Sequence, residues 1–198
     1  MLLKERLQKY RVLLASKSPR RRQLLEGCGI AFEIAEGREA EEVYPSTLPA
    51  EQVAEYLSGL KSDAYADVLA ADDLLITADT VVIAGGEILG KPTDRADAVR
   101  MLRSLSGCEH KVITGVTLRT MTKKESFSCE SRVRFRGLAD EEIEHYIDTY
   151  RPYDKAGAYG IQEWIGYVAI EAIEGSFYNV MGLPVQALYV RLGEFLEE

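Results

Sequence analysis

Arg11–Ala15 (RVLLA) runs without a spacer into Ser16-Lys17-Ser18-Pro19, and this junction constrains the fold more than any other segment. A short apolar run of this kind reads as a buried strand. Ser18 suits the N-cap of a helix and Pro19 its first helical position, so a helix over Arg20–Glu26 follows, ended by Gly27 or Gly29. A buried strand feeding a helix through so short a loop belongs to a layered α/β architecture.

The remainder alternates in the same manner. Ala31–Ala35 and Leu74–Ala78 read as short strands, and Leu48–Ala70 as a long helix starting near Pro49. On that helix Val53, Tyr56, Leu57, Leu60 and Ala64 form one apolar stripe. Val81–Ile88 continues as a hairpin turning at Gly85-Gly86, and Asp94 caps a helix through Leu105 that Gly107 closes. Lys111–Thr120 and Ser126–Arg136 read as a strand pair, and Asp140 caps a helix to about Tyr150. The Gly-rich loop Asp154–Gln162 leads to a strand over Tyr167–Glu171, a turn at Glu174-Gly175 and a final helix from Pro184. No repeat or low-complexity tract interrupts the pattern. The class is α/β (mixed α+β), read as a single domain over residues 1–198 with a central cleft.

Charge and composition narrow the function. With 46% hydrophobic and 28% charged residues, the chain has an ordinary globular balance. Its net charge of -8 gives no general attraction for nucleic acid, so any phosphate it binds must meet a local basic site. Lys4, Glu5, Arg6, Lys9 and Arg11 break up the opening segment, which is not expected to act as a signal peptide. No run approaches the roughly 18 apolar residues of a membrane helix. Cys28, Cys108 and Cys129 are isolated from one another and read as reduced, buried thiols of a cytoplasmic protein.

Three segments could carry chemistry. Ser16 through Arg22 places hydroxyls, guanidiniums and a helix N-terminus together, a combination suited to phosphate; the alternative is a solvated basic first turn. Asp79 follows an apolar strand directly, at the carboxyl end where α/β sheets bind ligands, and could ligate Mg²⁺ or accept a proton from water. Lys91, after the hairpin, could reach the same region or be an exposed turn lysine. Asp154-Lys155-Ala156-Gly157-Ala158-Tyr159-Gly160-Ile161-Gln162 is the least generic stretch: small residues admit a flat ligand, Lys155 can meet phosphate, and Gln162 can pair with a base edge. Glu39, Glu41 and Glu42 form an acidic patch before the long helix. His110 and His145 lack zinc-ligand spacing and read as structural, while Trp164, Tyr159 and Tyr167 could stack on a base or simply pack in the core. No P-loop, G-x-S-x-G or paired Cys/His set is present.

In order along the chain, the segments Ala15–Arg21, Ala78–Val82, Leu89–Pro92, Leu105–Gly107, His110–Val116, Asp154–Gln162 and Gly182–Pro184 resemble the Maf family of nucleotide pyrophosphatases, the septum formation inhibitors. The resemblance implies a Maf/ITPase-like two-lobed fold with a central mixed sheet, an active-site cleft between the lobes, and a homodimer. It implies hydrolysis of a nucleoside triphosphate to monophosphate and pyrophosphate with a divalent cation, Mg²⁺ or Mn²⁺. The family's catalytic carboxylate falls on Asp79. Its metal-site glutamate falls on Glu42 or Glu41, and its two lysines on Lys61 and Lys91. Its specificity positions fall on Arg20, Thr80 and Gln162, which together with the Asp154–Gln162 loop resemble the subgroup acting on dTTP and UTP. Substrate contacts are thereby expected from Ser16, Arg20, Arg21, Thr80, Asp154, Lys155 and Gln162, and metal ligation from Glu42 and Asp79. Two departures stand out: Leu57-Ser58-Gly59-Leu60-Lys61-Ser62 where the family has L-A-x-x-K-A, and Arg151-Pro152 where it has Glu-Pro.

A different class of protein also fits parts of the chain. A non-enzymatic regulator of cell division would use the acidic Glu39–Glu42 loop and the basic Lys17–Arg22 segment as binding faces. A pure binder, however, has no need of an acid and lysines gathered at strand ends. Partners are therefore expected to be the nucleotide and a second copy of the chain, with neither nucleic acid nor membrane.

Overall fold

The structure, a computed structural model, describes residues 2–38 and 40–197; Glu39 of the acidic patch lies outside the described residues, as do Met1 and Glu198. The strands form a mixed seven-stranded sheet in the order β2-β1-β3-β5-β6-β7, with β4 on β3. These are β1 (Arg11–Ala15), β2 (Glu33–Ile34), β3 (Asp73–Ala84), β4 (Glu87–Leu89), β5 (Glu109–Arg119), β6 (Lys124–Phe135) and β7 (Ile170–Glu174). The helices are α1 (Leu3–Arg6), α2 (Pro19–Gly27), α3 (Val53–Asp63), α4 (Arg95–Leu105), α5 (Asp140–Tyr150), α6 (Trp164–Ala169), α7 (Phe177–Met181) and α8 (Val185–Phe195). The chain divides into two compact units, Met1–Asp79 with Thr114–Cys129 and Gly182–Glu198, and Thr80–Ile113 with Glu130–Met181.

In the first unit β1 lies parallel between β2 and β3, with Leu13 opposite both Glu33 and Leu75. The guanidinium of Arg11 grips the carboxylate of buried Asp73 through two bonds of 2.7 and 3.0 Å, fixing that register at the strand starts. The Ser18 hydroxyl accepts from the Arg21 N–H at 3.4 Å and Pro19 opens α2, as the sequence predicts.

The predicted helix Leu48–Ala70 is shorter and turned otherwise. A 3₁₀ turn over Ala50–Gln52 precedes α3, which ends at Asp63. The Asp63 carboxylate stops it by accepting from Arg119 at 2.5 Å and from Lys124 at 2.7 and 2.9 Å. The chain then turns so that Tyr65 and Leu69 bury against Leu13 and Leu75. The buried face is also not the predicted apolar stripe. Val53 and Leu57 are inside, but Tyr56 is exposed, and Ala54, Ser58, Gly59 and Ser62 lie against the sheet instead. The reason is proximity. A Cβ on Gly115 of β5 would stand 2.3 Å from the Ala54 backbone, so only small residues fit there. The buried hydroxyls are satisfied by one another: Ser58 to Thr117 at 2.8 Å, Thr117 to Ser126 at 2.8 Å, and Thr77 donating to the Ser58 carbonyl at 2.8 Å.

In the second unit the β3–β4 hairpin turns at Gly85-Gly86, both with positive φ (57° and 83°), the conformation of a type I′ turn. Asp94 caps α4 by accepting from the Asp97 N–H at 2.8 Å. The cap of α5 is Ala139 rather than Asp140, because Glu142 reaches back to the Ala139 N–H at 2.9 Å. The strand expected over Tyr167–Glu171 forms as β7 over Ile170–Glu174, and its place is taken by α6. There Gly166 donates to the Glu163 carbonyl at 2.9 Å, closing a helical turn. The cysteines are not buried as predicted: Cys28 and Cys129 are partly covered and Cys108 is exposed, and none forms a disulfide. Among the described residues no helix is long and apolar enough to cross a membrane.

Gly115→Ala is expected to destabilise the protein by about 3 kcal/mol or more, since the helix or the strand must move to admit a methyl group. Urea unfolding measures this; a midpoint equal to that of the wild type would contradict the close approach.

Candidate functional site

The first unit gathers Glu42, Lys61 and Asp79. Lys61, in the last turn of α3, donates to Asp79 Oδ1 and lies 3.1 Å from Glu42 Oε1. The Asp79 side chain is 13% exposed and that of Glu42 53%, so one carboxylate is enclosed and the other reaches in from a surface loop. Of the two candidate glutamates, Glu42 is the one whose carboxylate is seen to meet Lys61. Gly59, a departure from the family pattern, leaves α3 intact and Lys61 in contact with both acids.

Asp79 does not end a strand, contrary to the sequence prediction; β3 runs through it unbroken. What ends is pairing with β1, while β3 also neighbours β5 in the sheet. β1 pairs β3 as far as Thr77 and β4 begins at Val82, so Asp79 lies on a stretch between the two partners. Arg21 fills part of that gap, donating to the Ala78 carbonyl at 2.8 Å and to the Gly182 carbonyl at 2.8 Å. Burial pushes the Arg21 guanidinium below its ordinary value, Asp79 and Glu42 pull it up, and Arg20 pushes it further down. Arg21 thus acts as a strut beside the carboxylates, which answers why a cation is placed in the first turn of α2. Ser16 accepts from the Ser18 N–H at 3.2 Å and shapes the loop between β1 and α2. The basic segment is therefore not a uniform exposed face.

Glu42 and Asp79 bring two hard oxygen donors to one ammonium, and Mg²⁺ is commonly held by one or two carboxylates together with substrate phosphates. The donor set therefore fits Mg²⁺ or Mn²⁺ arriving on a phosphate chain. Among the described residues no group of three or more His, Cys, Asp or Glu side chains could hold a metal ion alone.

The second unit holds Thr80, Lys91 and the Asp154–Gln162 loop. Lys91 is exposed and follows Gly90, whose carbonyl accepts from the Gly157 N–H at 3.0 Å. That bond ties the loop to the segment bearing Lys91. Ala158 is held at φ 58°, a left-handed conformation that costs an L residue roughly 1 kcal/mol. Lys155 pairs with Asp154 at 2.7 Å and Glu163 at 3.1 Å. Gln162 Oε1 is buried with no hydrogen-bond partner, and an orphaned buried acceptor calls for an explanation such as a ligand.

The aromatic residues do not assemble as a stacking platform. Tyr159 is buried and bonded to His110 Nε2 at 2.8 Å, Trp164 meets the edge of His145, and Tyr167 stands exposed. Sequence reasoning passed over Glu163 and Tyr146, which support the loop. Glu163 carried one signal, since a lysine in a tight loop needs counter-charge. Tyr146, on the buried face of α5, carried none.

The match to the Maf-like protein family covers residues 11–195, and the chain belongs to that family. Its relatives narrow the class. A dTTP/UTP pyrophosphatase from Porphyromonas gingivalis is 54% identical over 98% of each chain. Enzymes of the same name from Parabacteroides distasonis and Bacteroides thetaiotaomicron are 52% and 50% identical, covering 96% and 94% of this chain and 99% and 96% of their own.

His110 sets a pH limit on the loop's support. Its ring packs edge-on against Phe135 and Tyr159, and burial pushes its pKa down from 6.5 to about 4. The folded protein therefore keeps His110 neutral where the unfolded chain protonates it. Its contribution is complete above pH 6.5 and falls by about 3 kcal/mol as the pH drops to about 4. The stability advantage of wild type over His110→Gln, measured by denaturation at each pH, is expected to shrink by that amount between pH 7.5 and 4. A pH-independent difference would refute the assignment.

Proposed function

We propose that this protein is a nucleoside triphosphate pyrophosphatase that converts dTTP and UTP, and modified pyrimidine nucleotides of the same shape, to the monophosphate and pyrophosphate. The observation that carries the reading is the Glu42–Lys61–Asp79 cluster, in a chain half identical to dTTP/UTP pyrophosphatases along nearly its whole length. The lysine holds the enclosed carboxylate in one orientation, which a general base needs in order to meet a water molecule.

In the proposed reaction Asp79 accepts a proton from water as the water oxygen bonds to the α-phosphorus. The bond from the α-phosphorus to the oxygen bridging to the β-phosphate breaks, and pyrophosphate leaves with that oxygen. Lys61 fixes the Asp79 carboxylate and is released towards phosphate as charge shifts. Arg21, bound to backbone on both sides, holds β3 and the start of α8 in register around Asp79. Glu42 and Asp79 would hold Mg²⁺ or Mn²⁺, whose chemistry there is to neutralise phosphate charge and orient the chain of phosphates. Arg20 and Lys91 add positive charge for the phosphates, Ser16 a hydroxyl, and Thr80 borders the nucleotide. Gln162 pairs with the pyrimidine edge through its orphaned carbonyl and its amide.

Pyrophosphate release from a panel of nucleoside triphosphates, with Mg²⁺, Mn²⁺ or EDTA, tests the reading. Cation-dependent turnover of UTP and dTTP, with purines poor, is expected; folded protein inert on every nucleotide would overturn it. Asp79→Asn is expected to lower kcat by about 10³-fold or more while leaving the melting temperature within a few degrees. A variant working near the wild-type rate would remove Asp79 from the base role. Gln162→Ala is expected to raise KM for UTP about tenfold or more, the cost of a buried polar contact to the base, without altering cation dependence.

A further inference from the structure

Asp154, Lys155 and Glu163 set two negative charges against one positive. The Lys155 side chain is 9% exposed, and its ammonium donates to Asp154 Oδ1 at 2.7 Å while lying 3.1 Å from Glu163 Oε1. An ammonium between two carboxylates has its charge already offset. Lys61 also sits between two acids, but those are the ones proposed to take up the divalent ion; Asp154 and Glu163 have no such role in the proposed reaction, so the Lys155 ammonium stays with them.

It is well placed to hold a loop. The other carboxylate oxygen of Glu163 accepts from the Tyr146 hydroxyl, and the same phenolic oxygen accepts from the Gly160 N–H at 3.0 Å. Burial first, and then the bond to Glu163, push the Tyr146 hydroxyl's pKa upward, so it remains a donor. Gly160 is wedged against the network: a Cβ there would stand 3.0 Å from both Lys155 Cε and Glu163 Cδ. One chain of bonds therefore runs from Lys155 at the loop's start, through Glu163 and Tyr146 of α5, to Gly160 near its end. Gln162 lies between Gly160 and Glu163, two residues from one and adjacent to the other, with its buried Oε1 lacking a partner.

We propose that Lys155, Glu163 and Tyr146 are positioning residues for base recognition, holding the peptide that presents Gln162, and that Lys155 is not a phosphate ligand. This rests on the reading of Gln162 as the residue that pairs with the pyrimidine. The network converts the need to orient one amide into a set of buried, mutually satisfied bonds on a helix. Its members act on KM for the nucleotide and leave the phosphates to other cations.

The test uses Lys155→Met, Glu163→Gln, the double variant, Tyr146→Phe and Gln162→Ala in the full chain. For each, kcat and KM are measured with UTP and dTTP, together with inhibition by inorganic tripolyphosphate, which carries the phosphates without a base. Each positioning variant is expected to raise KM for UTP and dTTP about tenfold, the cost of one buried hydrogen bond. The tripolyphosphate inhibition constant stays within about twofold, and the Lys155→Met/Glu163→Gln pair costs less than the sum of its parts because neither buried charge is left facing the other's empty place. The double variant, which buries neither charge, keeps the test open should a single variant fold poorly. A Lys155→Met protein that loses tripolyphosphate inhibition about tenfold, with Glu163→Gln harmless, would make Lys155 a phosphate ligand and overturn the proposal. Normal UTP kinetics in all three positioning variants, with Gln162→Ala impaired, would overturn the proposal alone. Unaltered KM in Gln162→Ala would bring down the base-reading assignment and the proposal with it.

Discussion

Helix α3 approaches β5 at Gly115 so closely that no side chain can stand between them, and the position of Lys61 depends on this contact. With Ala54 on the strand, Ser58 one turn later reaches Thr117, and Ser62 another turn on accepts from Arg119 at 3.1 Å. These residues follow one another at intervals of four on a single face. Lys61 lies on the neighbouring ridge and meets Asp79, two residues beyond the Thr77 that donates to Ser58's carbonyl. A larger residue at Gly115 would tilt the helix and carry the ammonium away from both acids. An apolar interface could have held α3 as firmly, but apolar side chains slide more readily than paired hydroxyls. The hydroxyl ladder fixes register as well as distance.

The second unit solves a related problem with backbone. The Asp154–Gln162 loop has too few large side chains to pack itself, so its peptide groups are tied to surrounding elements. The Gly157 and Gly160 N–H groups bond the Gly90 carbonyl and the Tyr146 hydroxyl, and the Tyr159 side chain adds a bond to His110. Held at these points, the loop sustains the left-handed Ala158, a conformation that persists only where the surroundings determine it. The small residues read from the sequence as room for a ligand therefore have a second use. They let supporting groups reach the backbone from the protein side.

What was legible in the sequence is what local chemistry decides. Ser18-Pro19, Asp94 and Gly85-Gly86 each act within a few residues, and the helix starts and hairpin turn fall where they indicate. Asp79 stood out by its place after an apolar strand and Lys61 and Glu42 only through family resemblance, and only coordinates bring the three to a common point. The stripe on α3 was misread because periodicity finds the apolar face, whereas a glycine 61 residues away in sequence decided which face could be buried. The bounds of β7 were misread because Gly166 donates to the Glu163 carbonyl and closes a helical turn ahead of the strand. Tyr146 could not have been found: on α5 it is simply one more buried aromatic until its hydroxyl meets Glu163.

The charges around Asp79 explain how an acidic chain could handle a polyanion. Glu42 and Asp79 are balanced by Lys61 and Arg21, and Arg21 directs its donors to carbonyl groups. The cluster is thus close to neutral as it stands, and a site in this condition neither repels a triphosphate strongly nor binds it by charge alone. Binding must come from cations brought to it, which in the proposed reaction include Arg20 and the divalent ion that would travel with the phosphates. Glu42 and Asp79 would hold such an ion, and its charge would weaken the attraction of both acids for Lys61, leaving the ammonium freer to meet phosphate. An enclosed Lys–Asp pair can therefore serve as a reserve of positive charge that the substrate complex itself releases. Neutrality before binding and positive charge after it would both follow from one arrangement, the shared hold of Lys61 on Glu42 and Asp79.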